Sequence, residues 1–238
     1  MFVTNMFVTL VTMTDEPRSR RERPAKAALT RRGIVAAAVE VMRAEGLDRV
    51  TMRRLAKELD TGPASLYVYF RNTAQLHGAV LDELLGAVDL SSVEAEGDWR
   101  ERLEAVLASY TRVLFEYPSL AQSAVTARPA GENYLRLVEA VLALLDEGGV
   151  PPQQAAWGLD LLLQLATATA AEHAGGEDPE QWDALGAALR AVRPDTHPRI
   201  AALGEDLLSG PAPARASWGI RVLINGVLAT PRTGGQPT

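Results

Sequence analysis

Between Thr51 and Thr73 the chain places side chains that can hold phosphate at short intervals: the hydroxyls of Thr51, Ser65, Tyr67, Tyr69 and Thr73 and the guanidinium groups of Arg53 and Arg71. Groups of this kind contact the phosphate oxygens of a nucleic acid and fix its register and orientation. In their midst Gly62, Pro63, Ala64 and Ser65 are small. A backbone carrying them can come close to whatever lies in front of it, and a helix tip of that kind fits the floor of a DNA major groove.

Two short helices and a tight turn must position these groups. Met52, Leu55, Ala56 and Leu59 recur at i, i+3, i+4 and i+7, which puts them on one helical face and leaves Arg53, Arg54, Lys57 and Glu58 outside. Thr51 suits the N-cap of that helix. Gly62 is expected to supply the permissive backbone for the turn after Asp60 and Thr61, and Pro63 to open a second helix. Leu66 and Phe70 would face inward from it, with Ser65, Tyr67, Val68 and Tyr69 at least partly free. The pattern is that of a helix-turn-helix. A glycine-turned helix pair can also be a hairpin that only packs, and a tyrosine beside an apolar seam is often core with its hydroxyl at the rim. The flanks therefore matter. Upstream, Ile34, Val35, Ala38, Val39 and Met42 form the inward stripe of a helix from about Thr30 to Glu45, ended by Gly46. Downstream, Leu76, Val80, Leu81, Leu84 and Leu85 mark a helix from Thr73 to about Val88, expected to touch both halves of the chain and to transmit change between them.

In the order helix, helix-turn-helix, helix, residues 30 to 85 resemble the DNA-binding domain of the TetR family of repressors. The resemblance rests on Thr51-Met52-Arg53-Arg54-Leu55-Ala56, on Leu66-Tyr67, and on Phe70 and Leu76. It implies that Thr51, Arg53, Tyr67, Tyr69 and Arg71 meet phosphates and that Gly62, Pro63, Ala64 and Ser65 approach the groove floor. The chain departs from the family in two places. Thr73 stands where a lysine usually opens the fourth helix, so Thr73 or Asn72 is left to cap it and present its amides to a phosphate, with Arg71 as the nearby cation. Tyr69 stands where a histidine is common.

Charge divides the 238 residues unevenly. Asp15 to His77 carries 13 Lys and Arg against 8 Asp and Glu, a net of +5; the remainder carries 11 against 22, a net of −11, which together give the overall −6. A basic N-terminal third in an acidic protein is what a polyanion partner for that part alone requires. The absence of cysteine excludes disulfides and thiolate metal sites and makes a cytoplasmic location the expectation. Residues 1–29 read as a disordered basic N-terminal extension. Within it, residues 1–14 are apolar but too short to span a bilayer, with Met13 an alternative start, while Arg18, Arg20, Arg21, Arg23 and Lys26 form an arm able to reach phosphates or a minor groove.

The remaining chain reads as helix throughout: about 99–117, 120–126, 132–147, 152–171, 179–192, 198–208 and 213–228, with no strand pattern. Ala155 to Ala171 holds a single charge, Asp160, among tryptophan, leucines, alanines and threonines. Such a helix needs cover on nearly every side, and 213–228 has the same character. A homodimer joined through about 152–172 and 213–228 is the expectation, and no membrane partner. No phosphate loop or nucleophile elbow appears, His173 and His197 lack the spacing of a zinc helix, and neither cofactor nor metal is expected. Trp99, Tyr110, Tyr134, Trp157, Gln164, Thr167 and His173 put aromatic and polar groups on otherwise apolar helices, as in a small-molecule pocket, although plain packing accounts for any one of them alone. The resemblance implies a mostly apolar effector there.

The fold class is thus all-α: an N-terminal three-helix helix-turn-helix DNA-binding domain over 30–76, a C-terminal helical ligand-binding and dimerisation domain over 77–230, and a loose tail over 231–238. The function that this organisation and the resemblance imply is a transcriptional regulator, a repressor released from a palindromic double-stranded DNA operator by its effector. The rival is a helical ligand-binding or catalytic protein that keeps the fold without binding DNA.

Overall fold

The computed structural model describes residues 28–125, 129–173 and 178–232. The readings made for 1–27, for Thr126 and for 233–238 lie outside the described residues. Among those described, eleven α-helices follow one another without a strand: α1 (Arg31–Glu45), α2 (Met52–Glu58), α3 (Pro63–Tyr67), α4 (Thr73–Leu85), α5 (Trp99–Phe115), α6 (Pro118–Ala124), α7 (Glu132–Glu147), α8 (Pro152–His173), α9 (Pro179–Arg190), α10 (Pro198–Leu203) and α11 (Ala212–Ala229).

The stripe expected on α1 is buried, with Ile34 and Ala38 at its centre, and it packs on α2 and α4. Gly46 ends the helix at φ +89°, a conformation that glycine adopts without strain. α2 opens on Thr51, whose hydroxyl oxygen accepts the Arg54 amide at 3.1 Å.

The turn into α3 differs from expectation. Gly62 is extended, at φ −81° and ψ 146°, and the left-handed residue is Asp60 at φ +47°. Aspartate is among the few residues that enter this region readily, because its short polar side chain can bond locally. The turn therefore falls two residues before the glycine. α3 is also shorter than its apolar pattern suggests: it ends at Tyr67, and Phe70 reaches the core from the following turn, its amide bonded to the Leu66 carbonyl at 3.0 Å.

α4 is the shared element, packing on α1, α5, α6 and α7. It ends at Leu85 in a tightening turn, earlier than expected. Behind it α5 and α8 form the main pair of the bundle, with α6, α7 and α11 against them, and the core runs through Leu103, Leu107, Leu114, Leu137, Leu144 and Leu162. Arg102 holds the 3₁₀ turn at Ser91–Glu94 to this bundle through the Val93 carbonyl and an ion pair with Glu147. α11 meets α8 at close range: a side chain on Gly158 would collide with Val227, and the Gln154 amide donates to the Val227 carbonyl at 2.7 Å. The segment expected as one helix over 198–208 is α10 followed by a 3₁₀ turn, with Gly204 at φ +52° between them. No described helix is long and apolar enough to cross a membrane.

Candidate nucleic-acid interface

α3 is held from behind and bare in front. Leu66 and Phe70 are fully buried, and the Arg31 guanidinium lies 4.5 Å from the centre of the Phe70 ring. Gly62, Pro63, Ala64 and Ser65 are all exposed, followed by Tyr67 and Val68. A five-residue helix has no stability of its own, so its position is set by these two buried anchors.

The cations beside it divide into two kinds. Arg54 is committed within the protein, bridging Glu45 and Glu58 at 2.5 and 2.8 Å, and the hydrogen bond from Arg54 holds the Glu45 carboxyl below the ordinary carboxylate range. Arg53, Lys57 and Arg71 project into solvent. Thr51 uses its oxygen as a cap acceptor and keeps its proton for an outside acceptor. Tyr69 is half-buried, and its carbonyl accepts from Arg31 at 3.4 Å. Asn72 rather than Thr73 caps α4, accepting the Gln75 amide at 2.8 Å, while the Gln75 side chain accepts the Arg71 amide at 2.7 Å. Thr73 is the first helical residue, half-buried.

α4 joins this surface to the bundle through bonds that no sequence motif announces. His77 Nε2 donates to the Val50 carbonyl at 2.9 Å, immediately before the Thr51 cap. One turn on, the Asp82 carboxylate accepts the Tyr134 amide at 2.9 Å and so caps the N-terminus of α7 from outside. The Asn133 side chain donates back to the Asp82 carbonyl at 2.9 Å. Gly131, the N-cap residue of α7, has no cap of its own, and a Cβ there would occupy the space of the Asp82 carboxylate. Arg43 of α1 pairs with Glu40 on its own helix at 3.0 Å and lines one groove with Tyr117, beyond the end of α5.

The residues read as an effector pocket do not form one group. Tyr110 and Thr167 are buried, and the Tyr110 hydroxyl lies 2.8 Å from Thr167 Oγ1. Thr167 donates its own proton to the Leu163 carbonyl at 2.7 Å, so Tyr110 is the donor of the pair. Burial pushes the Tyr110 phenol up, and Tyr134 is near enough to add to the shift. Trp99 instead lies on Gly148 at the far end of α7, about 21 Å along that helix from Tyr134. Trp157 is exposed beneath the Arg232 guanidinium, 4.0 Å from its ring centre, and Gln164 is exposed and bonded to Asp160 at 3.2 Å. The His173 side chain lies outside the described residues. A groove of about 930 Å³ opens elsewhere, between α8 (Leu165, Thr169), α9 (Gln181, Trp182) and α11 (Arg215, Gly219). Among the described residues no His, Asp or Glu cluster could hold a metal ion.

A bare reading helix carried by two buried anchors, in front of an all-helical bundle, defines the class: a helix-turn-helix DNA-binding regulator. Residues 34–80 match the family model of the bacterial regulatory proteins, tetR family, and residues 93–230 match that of the tetracyclin repressor-like C-terminal domain. The chain belongs to the TetR family of transcriptional regulators. It is 59% identical to a Streptomyces protein solved as a candidate transcription regulator, covering 89% of this chain and 100% of that one at a TM-score of 0.77. The Streptomyces coelicolor TetR family protein ActR, solved in complex with actinorhodin, is 35% identical over 85% of this chain and 97% of its own, at a TM-score of 0.74. The HTH-type transcriptional repressor DrrR1 of Streptomyces coeruleorubidus is 29% identical over 90% of this chain and 84% of its own.

Proposed function

We propose that the chain is a repressor that binds a palindromic operator as a homodimer and leaves it when a mostly apolar small molecule occupies the bundle. The observation that carries the reading is the exposed tip Pro63–Ala64–Ser65, set by buried Leu66 and Phe70 and flanked by Arg53, Lys57 and Arg71. Residues 30–76 serve as the reading domain and 77–230 as the effector and dimer domain. Thr51, Arg53, Tyr67, Tyr69, Arg71 and Thr73 take the phosphate side of the contact.

The dimer reading draws support from Trp157 and Leu161 on α8 and Trp218 and Val222 on α11, large apolar side chains exposed on two adjoining helices. Two such pairs make a four-helix interface, and it would hold the reading helices one turn of duplex apart, roughly 34 to 36 Å. The effector reading draws support from Tyr110 and Thr167, hydroxyls buried inside an apolar bundle, and from half-buried Tyr134 near Tyr110, with Trp99, Trp157, Gln164 and His173 as the outlying members of the set. Tyr134 is also the residue whose amide Asp82 caps, so an effector that displaces the first turn of α7 pulls on α4 and on the reading pair beyond it. By linkage, operator DNA then weakens effector binding by the same factor.

The test is a gel shift with duplex from upstream of the chain's own gene, with and without actinorhodin as the first effector probe, followed by a panel of apolar aromatic compounds. Specific retention with steep salt dependence, relieved by a member of the panel, is the expected result. Absence of retention on any such duplex would remove the DNA reading. Operator affinity indifferent to every compound, including one shown by calorimetry to bind, would remove the induction reading.

A further inference from the structure

The reading helix is apolar where a base-reading helix is often polar. Val68, just past the end of α3, is 81% exposed, the most exposed large hydrophobic side chain among the described residues, and Tyr67 beside it is 54% exposed. Their neighbours Leu66 and Phe70 are fully buried, so the core is already served and Val68 contributes nothing to it. Pro63 and Ala64 extend the apolar surface to the helix tip.

From Pro63 to Val68 the polar side-chain atoms are two hydroxyls, on Ser65 and Tyr67. Guanine is distinguished by a paired donor from arginine or lysine, and adenine by the paired donor and acceptor of an asparagine or glutamine amide; this stretch has none of these. What the major groove offers to an apolar side chain is the C5-methyl group of thymine. The exposed cations Arg53, Lys57 and Arg71 around this surface commit it to a polyanion and make an apolar protein partner or a second copy of the chain a poor match.

We infer that α3 reads its half-site chiefly through thymine methyl groups, with Val68 and Ala64 as the specificity-determining contacts and the phosphate-holding side chains setting only the register. The inference rests on the DNA-binding reading above and adds the chemical feature being read. An operator chosen by such a surface carries thymines at the positions facing Ala64 and Val68, and loses affinity when those methyl groups are removed although every base-pairing hydrogen bond stays in place.

The experiment starts with the full chain and a duplex selected from a random library, which is then rebuilt with deoxyuridine in place of thymidine, first throughout and then one position at a time. Each methyl group that packs against the helix is expected to contribute about four-fold to affinity, so a fully substituted half-site with two such contacts loses more than ten-fold. Val68→Ala should bring the thymine-to-uracil ratio at its own position close to one. Because Val68 is exposed, circular dichroism of the variant should match the parent. Equal binding of the thymine and uracil duplexes would overturn the inference. A ratio that persists in both Val68→Ala and Ala64→Gly would overturn the assignment to these residues. A selection that enriches no duplex would instead count against DNA binding itself, a separate failure.

Discussion

The reading pair and the α8–α11 pair both expose large apolar side chains, and the difference lies in what surrounds them. Tyr67 and Val68 stand in a chain segment with Arg53, Lys57 and Arg71, where residues 28–77 carry 8 Lys and Arg against 5 Asp and Glu, a net of +3. Trp157, Leu161, Trp218 and Val222 stand on helices whose few charges, Asp160 and Glu172 against Arg215 and Arg221, cancel. An apolar patch in a net positive segment is suited to an anionic partner, whereas an apolar patch whose own helices carry no net charge is suited to one like itself. The first pair is also short and depends on its neighbours for its position, while α8 at 22 residues is long enough to present a surface on its own account.

The comparison is most directly broken at the second patch. Leu161→Glu combined with Trp218→Glu places charge on both exposed stripes without touching the core. The expected result is a folded monomer in sedimentation equilibrium and an operator affinity lower by about 10² to 10⁴, because two linked half-site contacts become two independent ones. A variant that stays dimeric would show that the apolar face of α8 and α11 serves something other than self-association.

Within the reading pair, two neighbours sharpen the contrast between anchor and surface. Phe70→Ala removes a fully buried ring and should cost about 3–5 kcal/mol in thermal or denaturant unfolding, with DNA binding lost as the domain loosens. Val68→Ala, two residues away, should change stability by no more than about 0.5 kcal/mol. Similar losses from the two would mean that Val68 is more deeply engaged than its exposure indicates.

The reading pair was legible in the sequence because its determinants are local. The spacing of Met52, Leu55 and Ala56, the Thr51 cap and Pro63 each act within a few residues, and the structure bears them out. The turn was misplaced because both Asp60 and Gly62 can make it, and the choice between them depends on how the two helices meet. The hydroxyl group in the bundle was only partly legible. Periodicity puts Tyr110 inside, but α8 is apolar nearly all round, so nothing along it separates Thr167, which faces inward, from Trp157 and Gln164, which face out. The Asp82 cap was illegible: an aspartate in the middle of one helix and a glycine about fifty residues later carry no local sign that one closes the end of the other's helix.

That cap yields a smaller effect with a diagnostic pattern. Asp82→Ala uncaps α7 and should cost about 1 kcal/mol. It should also reduce the factor by which effector weakens operator binding. Adding Gly131→Ser to Asp82→Ala fills the vacated space with a cap from α7's own chain, so stability should return while the reduced coupling persists. Recovery of both together in a calorimetric cycle would mean that the tie between α4 and α7 carries stability alone.

An effect of similar size concerns Tyr110. Burial raises its phenol above the ordinary value near 10, so the folded state favours the neutral form that donates to Thr167. In the unfolded chain the same group ionises near 10. Its stabilising contribution is therefore fully present below about pH 10 and is lost as pH rises past that point toward the folded value. Tyr110→Phe removes the group, at a cost of about 1 kcal/mol near neutrality for the missing hydrogen bond. Melting temperatures of parent and variant measured from pH 8 to 11 should converge as pH rises, since every other titrating group is common to both. Parallel curves would mean that the Tyr110 hydroxyl reaches water in solution, and the bundle around Thr167 would then be open before any effector arrives.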